Sequence, residues 1–429
     1  MGRCRVGIAL FTSYLLRLNR NPHTPLIVLK LMRIQNRSVI KLLLAGVVAA
    51  YRPIHVSGQS SFKVVPTPPS HITGPSPNNT LFAVSASSSS DIWAVGQSAI
   101  HFDGTKWKAF QAPMISGENS GFLLGVADVS PTEAWAVGNA STTLTGQPAP
   151  VVEQWDGTKW SVFPVFSFNA PGESASLLLA ITAISANDIW ALGTGSMGNI
   201  GGNLFEHWDG ITWTPTIVPL GGTPAAASAD ATDDVWAVGS SGLSSAQANA
   251  FVAHYNGAIW QSVASPNVGA SAAFNGVAAL APNNVWAVGS FVKVTNGPTL
   301  TLIEHYDGSE WSVVPSPNVG PNSMFQSNRL FGITAVSSTD IWAFGSYFAA
   351  SGDGSQKTLL LHWDGTAWSI ARSPNPTKGD FLSDVLFAGV EASPGNVWIV
   401  GDETEFVQGA PSTGSLALHS TTASGSGSN

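Results

Sequence analysis

Seven times between residues 91 and 401 the chain repeats a short motif around one tryptophan: DIWAVG, EAWAVG, DIWALG, DVWAVG, NVWAVG, DIWAFG and NVWIVG. The tryptophans are Trp93, Trp135, Trp190, Trp236, Trp286, Trp342 and Trp398, at intervals of 42, 55, 46, 50, 56 and 56 residues. Repeats of that period are supersecondary units that bury their apolar faces only against one another. A second module follows each of the first six, from HFDGTKW to HWDGTAW, ending at Trp107, Trp160, Trp213, Trp260, Trp311 and Trp368. Together with Trp155, Trp208 and Trp363 these positions account for all sixteen tryptophans.

Each unit reads as four strands, in the sixth LFGITAVS, DIWAFGSYF, TLLLHWD and AWSIARSP. Apolar residues alternate within them, and Asp, Asn, Gly, Ser and Pro separate them. Asp-Gly or Asn-Gly between the third and fourth strands suits a type I′ hairpin. The Asp, Asn or Glu two positions before each repeat tryptophan is expected to cap the preceding turn with its own side chain. Four-stranded sheets at about this period are the mark of a β-propeller. A content of 44 Gly, 27 Pro and only 10% charged residues agrees with many short strands and turns.

The expected fold is therefore all-β: a seven-bladed β-propeller over residues 59–420, with four antiparallel strands per blade. The seventh unit stops after SLALHS, at its third strand, whereas FKVVPTPP at 62–69 aligns with the fourth-strand segment WSVVPSPN at 311–318. The N-terminal strand should close the ring by completing the last blade, which protects edges an open array would expose.

In the spaced Tyr and Trp of YDGSEW, Tyr306 to Trp311, the chain resembles the kelch-type seven-bladed propellers, such as the galactose oxidase central domain. It departs from them in having one glycine after the second strand where they have two. Enzymes on related scaffolds can be checked by what they require. Galactose oxidase-like chemistry needs a copper site with a Tyr cross-linked to Cys, and the only cysteine is Cys4, in the leader. Sialidases need an arginine triad, and past the leader only Arg329 and Arg372 remain.

Residues 1–58 hold nine Lys or Arg and no acid, whereas the rest of the chain has nine basic and 26 acidic residues. The segment from Met32, with Arg33, Arg37 and Lys41 before the apolar run Leu42 to Ala50, has the form of a secretory signal peptide. Translation is expected to start at Met32, and the run is too short for a membrane span. The acidic body has no footprint for nucleic acid. The expectation is a secreted protein, extracellular or periplasmic, monomeric, with a disordered tail at 421–429.

Six histidines, His101, His207, His254, His305, His362 and His419, share one position on the third strand. Equivalent residues there diverge from blade to blade and cannot share a metal ion, so a structural role is expected. The stretch GTGSMG at 193–198 matches a dinucleotide fingerprint, but no helix follows it. No catalytic residue, metal or cofactor is assigned. Function is expected on the face that carries the long loops, with Asn328, Arg329, Lys378 and Asp380 as ligand-binding candidates and the loop aromatics Phe325, Tyr347 and Phe348 as further contacts. The first reading is a non-catalytic module for a protein or carbohydrate ligand. The alternative is a carbohydrate-active enzyme, lyase or hydrolase, that uses loop carboxylates such as Asp380 and Asp384.

Overall fold

Each repeat folds into an antiparallel meander in which the tryptophan motif is the second strand. The computed structural model describes residues 61–68, 79–113, 120–141, 148–163, 176–197, 200–242, 248–320, 326–348, 355–377, 382–407 and 410–421. The leader, the tail beyond 421, and Phe325, Lys378 and Asp380 lie outside these. The described residues all belong to one compact unit, 58–429, and contain no α-helix.

Five sheets of four strands cover residues 81–110, 120–163, 177–218, 223–262 and 271–313. An eight-stranded sheet holds the rest. It divides at a single parallel bridge, Gln356 to Ser383, into blade six (328–370) and blade seven (383–421 with 61–64). The inner strands pack in order around the axis, and Ser383–Ser393 of blade seven returns to Leu81–Ser88 of blade one. The ring therefore has seven blades.

Tryptophan holds neighbouring blades together. Trp93 sits 4.8 and 4.9 Å from Trp155 and Trp160 of the next blade. Trp135 meets Trp208 and Trp213 at 4.9 and 5.5 Å, and Trp286 meets Trp363 and Trp368 at 5.0 and 5.7 Å. Trp398 closes the circle on Phe102 and Trp107 of blade one, at 4.6 and 5.4 Å. Tilted and edge-on pairs of this kind add about 0.5–1.5 kcal/mol each beyond the area they bury.

The glycine of the motif follows from the inner strand. Every inner strand carries two β-bulges, in blade one between Leu81 and Ala83 and between Ala86 and Ser88. The first bulge lays a backbone carbonyl directly over the glycine. A Cβ at Gly96, Gly138, Gly193, Gly239, Gly289, Gly345 or Gly401 would overlap the carbonyl oxygen of Thr80, Phe122, Leu177, Thr223, Ala273, Arg329 or Val385 respectively. One glycine per blade is enough for this approach.

The N-terminal latch pairs as the alignment predicts, Phe62 with Ser420 and Val64 with Leu418. Phe62 takes the place that Trp311 fills in blade five and packs edge-on against Trp342 at 5.1 Å. The Val65 N–H donates to the Ala417 carbonyl at 2.8 Å, as the Val314 N–H does to Ile303 at 2.9 Å.

Two local expectations are corrected. The turn between third and fourth strands is not a two-residue type I′ loop but a four-residue one, 103–106 in blade one. Asp103 Oδ1 accepts the N–H groups of Thr105 and Lys106, so the carboxylate satisfies the turn and only Gly104, at φ 86°, is left-handed. The aspartate before each repeat tryptophan does not cap its turn's backbone either. In blades one, two, three and six that falls to the serine at the turn's start, as when Ser337 Oγ accepts the Thr339 N–H, and in blade seven to Glu391. The aspartate or asparagine instead reaches across to the third-strand histidine.

Because Phe62 is 6% exposed and supplies the aromatic partner of Trp342, Phe62→Ala should destabilise the fold by about 3–5 kcal/mol. Chemical denaturation of the two proteins measures this. A loss within the range of surface substitutions, about 0.5 kcal/mol, would show that the latch does not hold the ring.

Candidate functional site

Six histidines form the same unit in six blades. Their Nε2 atoms lie 2.5–2.9 Å from Oδ1 of Asp91, Asp188, Asp234, Asn284, Asp340 or Asn396. Each ring lies 4.2–4.7 Å from the repeat tryptophan, centroid to centroid. Blade two has Gln154 and Glu133 instead, and there the Trp135 indole N–H donates to Glu133 at 3.1 Å. These groups brace each tryptophan. Among the described residues no three His, Cys, Asp or Glu side chains are placed to hold a metal ion.

The other face bears the second-to-third-strand links. In blade one the strands end at Gly96 and resume at Ala99, so the rim is low there. In blade seven pairing runs past Gly401 through six further pairs, from Asp402 with Ser415 to Val407 with Ala410. At about 3.4 Å per residue that hairpin stands roughly 20 Å above the glycine, so a wall and a gap lie side by side.

Between them the first bulge turns one side chain of every inner strand toward the axis. Leu124, Leu179, Ala225, Asn275, Phe331 and Phe387 line the axial channel, about 160 Å³. Phe82, the bulge residue of blade one, packs 5.6 Å from Phe387, which meets Phe331 at 5.3 Å. Phe122, 41% exposed on the lip of blade two, lies 6.4 Å from Phe82. The result is an unbroken aromatic arc over blades six, seven, one and two. At the opposite, short-turn end a hollow of about 740 Å³ is lined by Ser228, Val277 to Ala281 and Ile333 to Ser338.

The sequence candidates fare differently. Asn328 is fully buried, accepting the Val319 N–H at 2.9 Å and donating to the Val319 carbonyl at 3.2 Å. Its amide shapes the loop into blade six. Arg329 is exposed beside it. Tyr347 packs against the core between blades five and six, while Phe348 is 41% exposed.

Blade seven brings two carboxyls to this face. Asp384, 1% exposed, accepts the Thr377 hydroxyl at 2.7 Å, yet burial still pushes its pKa up. Asp402 accepts the Thr80 hydroxyl at 3.0 Å and is pushed up to about 6, by burial first and by the charge of Asp384 in addition.

Sequence reasoning passed over the third-strand glutamates. Glu153, Glu206 and Glu304 are fully buried at a position where other blades carry Ile100, Ala253, Leu361 and Leu418. The signal was present, a glutamate in an apolar column. Neither carboxyl oxygen of Glu206 or Glu304 has a hydrogen-bond partner. Burial alone pushes Glu206 up to about 7 and Glu304 up to about 8. Asp128, which accepts the Ser87 N–H of blade one at 2.9 Å, rises to about 8 through burial and the nearby charge of Asp91.

No family model and no curated protein sequence matches the chain. Among solved structures it is similar to YCF48 bound to D1 peptide, at 13% identity over 85% of this chain and 97% of that one, TM-score 0.49. It is also similar to a polysaccharide lyase of family PL25, an ulvan lyase, at 11% identity over 75% and 86%, TM-score 0.48. A third is the GH74 xyloglucanase from Xanthomonas campestris, at 12% identity over 82% and 55%, TM-score 0.47. The likeness is one of fold.

The buried carboxyls fix a pH dependence. Unfolded, Glu206 and Glu304 ionise near the ordinary 4.5, while folded they stay protonated to about 7 and 8. Across that window the folded state binds more protons, so stability falls as pH rises from 4.5 to about 8. The melting temperature should be higher at pH 5 than at pH 8.5 by at least about 3 °C. The double variant Glu206→Gln/Glu304→Gln should flatten the slope and melt higher than wild type at pH 8.5. Identical profiles for the two proteins would refute the assignment.

Proposed function

We propose that this chain is a secreted, non-catalytic propeller that binds a protein or carbohydrate ligand on its long-loop face. The observation that carries the reading is the aromatic arc of Phe82, Phe122, Phe331 and Phe387 at the axial mouth, flanked by the gap over blade one. Aromatic faces on a rigid scaffold supply contact area at low entropic cost for peptides and sugars alike. Exposed Arg329 lies on the same face. Lys378 and Asp380 stay in the proposal as charged contacts of the neighbouring loop, and Asn328 as the residue that shapes the loop before Arg329. The kelch-like reading of the repeat belongs here too, supported by the Tyr306 and Trp311 pair.

Glycan and peptide arrays probed with the purified propeller test this. Phe122→Ala and Phe331→Ala should each weaken the best ligand about tenfold, or roughly 1.4 kcal/mol, with unchanged melting. A propeller that binds nothing on either array, or variants that bind like wild type, would count against the proposal.

One observation favours the enzymatic alternative, namely that Asp402 is pushed up to about 6 by burial and, in addition, by the charge of Asp384 on the same face. Carboxyls driven toward protonation in this way suit general acid catalysis. New reducing ends or unsaturated products from a polysaccharide panel, abolished in Asp384→Asn and Asp402→Asn, would establish it. An unaltered panel would leave the binding module as the better account.

A further inference from the structure

In blades five and six the loop leaving the outer strand is tied back to the third strand by its own polar groups. The Thr301 N–H donates to Asn318 Oδ1 at 2.9 Å, with the Thr301 hydroxyl 2.8 Å from that of Ser316. The Thr358 N–H donates to Asn375 Oδ1 at 2.8 Å, and its hydroxyl donates to the Pro374 carbonyl at 2.9 Å. Blade seven repeats the tie with Ser415 and Thr67 of the latch, 2.7 Å apart. The sequence responsible is Ser-Pro-Asn, at 316–318 and 373–375, together with the third-strand threonine; in blade four the same triplet, at 265–267, has Ala250 at that third-strand place.

Blade three lacks it. Its loop reads Pro219-Leu220-Gly221-Gly222, and Asn203 holds the third-strand place of Thr301 and Thr358, four residues before the histidine. No hydroxyl or carboxamide comes back from the loop. A cleft of about 330 Å³ stands open between blades three and four.

The cleft has the features of a built site. Asn203, one of its lining residues, is fully buried; its Nδ2 donates to the Gly222 carbonyl at 2.8 Å, and its Oδ1 has no hydrogen-bond partner. Leaving such an acceptor unmet costs about 1–3 kcal/mol, which an entering donor would recover. The walls are open at two of the lining glycines, because a Cβ at Gly221 would meet nothing within 4 Å and one at Gly201 only the Gly195 carbonyl at 3.9 Å, whereas Gly202 and Gly222 are packed against Val218 and Phe251. Thr223, Ser240 and Ser241 add hydroxyls, and no charged or aromatic side chain lines the space.

We propose that this cleft binds a neutral sugar residue, with Asn203 Oδ1 accepting a ring hydroxyl. The propeller itself shows the chemistry that fits, since the equivalent places in blades five and six are filled by a serine hydroxyl and an asparagine amide. An anion would find no cationic partner here and a cation no carboxylate. The volume lies at the low end of the ~300–1,000 Å³ usual for ligand sites, which suits one sugar unit. The site is separate from the axial mouth and goes beyond the proposal made for it.

Saturation-transfer NMR with neutral hexoses and N-acetylhexosamines, and glucuronic acid as charged control, tests the proposal on the full chain. At least one neutral sugar should show transfer at or below about 10 mM, the range of a weak single-unit site. Gly201→Val, which puts its side chain into open space on a strand, should weaken that sugar by about tenfold or more. Phe122→Ala, at the axial mouth, should leave it unchanged, which separates this site from the one proposed above. If Gly201→Val melts early, Thr223→Val, isosteric without the hydroxyl, replaces it and should weaken binding about threefold or more. No transfer from any neutral sugar, equal binding of glucuronic acid, or wild-type binding by the cleft variant that folds would overturn the proposal.

Discussion

The insertion of one tryptophan from each blade into the next governs the rest of the molecule. A four-stranded sheet of this length has two faces, and neither can be buried internally. The indole settles both problems, because in six blades it is held on its own blade by a histidine ring packed against it, in blade two by Glu133, and it is received by the aromatics of the neighbour. Trp190, for example, lies 4.4 Å from His207 within its blade and 4.7 Å from Tyr255 of the next. The repeat thus carries both halves of every interface, and the number of copies sets the size of the ring.

Placing sheets radially brings their inner strands together at the axis, where there is little room. The bulges and the single glycine answer that crowding. They shift the inner strand over the second strand and turn one side chain per blade inward. What those side chains are differs from blade to blade, from Ala225 through Asn275 to Phe387. The scaffold is therefore uniform where it is structural and varied where it meets solvent, which is the division of labour expected of a binding surface.

Much of this was legible in the sequence and some was not, for definite reasons. The period, the four strands and the latch could be read because each depends on residues close together or on a repeated string, as when FKVVPTPP matches WSVVPSPN. The partner of Asp91 could not, since His101 pairs with Trp93, and so comes within reach of Asp91, only once strand register is set. The turn after Phe102 was misread because Asp-Gly serves two loop lengths, and the aspartate's side-chain bonds decide between them. Of the candidates, Arg329 is on the surface, whereas Asn328 is one residue away and fully buried. An alternating strand does this to adjacent positions, and no composition argument distinguishes them. Glu206 and the glycine-rich loop of blade three were visible as departures from the repeat, and they gain meaning only beside the blades that keep it.

The tie between Thr67 and Ser415 joins positions 348 residues apart. A segment near the start of the circle must wait, with Phe62 unburied, until the last sheet exists to receive it. Synthesis order and spatial order are thus at odds at one place, and the polypeptide cannot complete its most distant contact before nearly all of it has been made. The same seam pairs strands from opposite ends of the described chain with no link between them in sequence, so it is where the circle would part first under mechanical or thermal load.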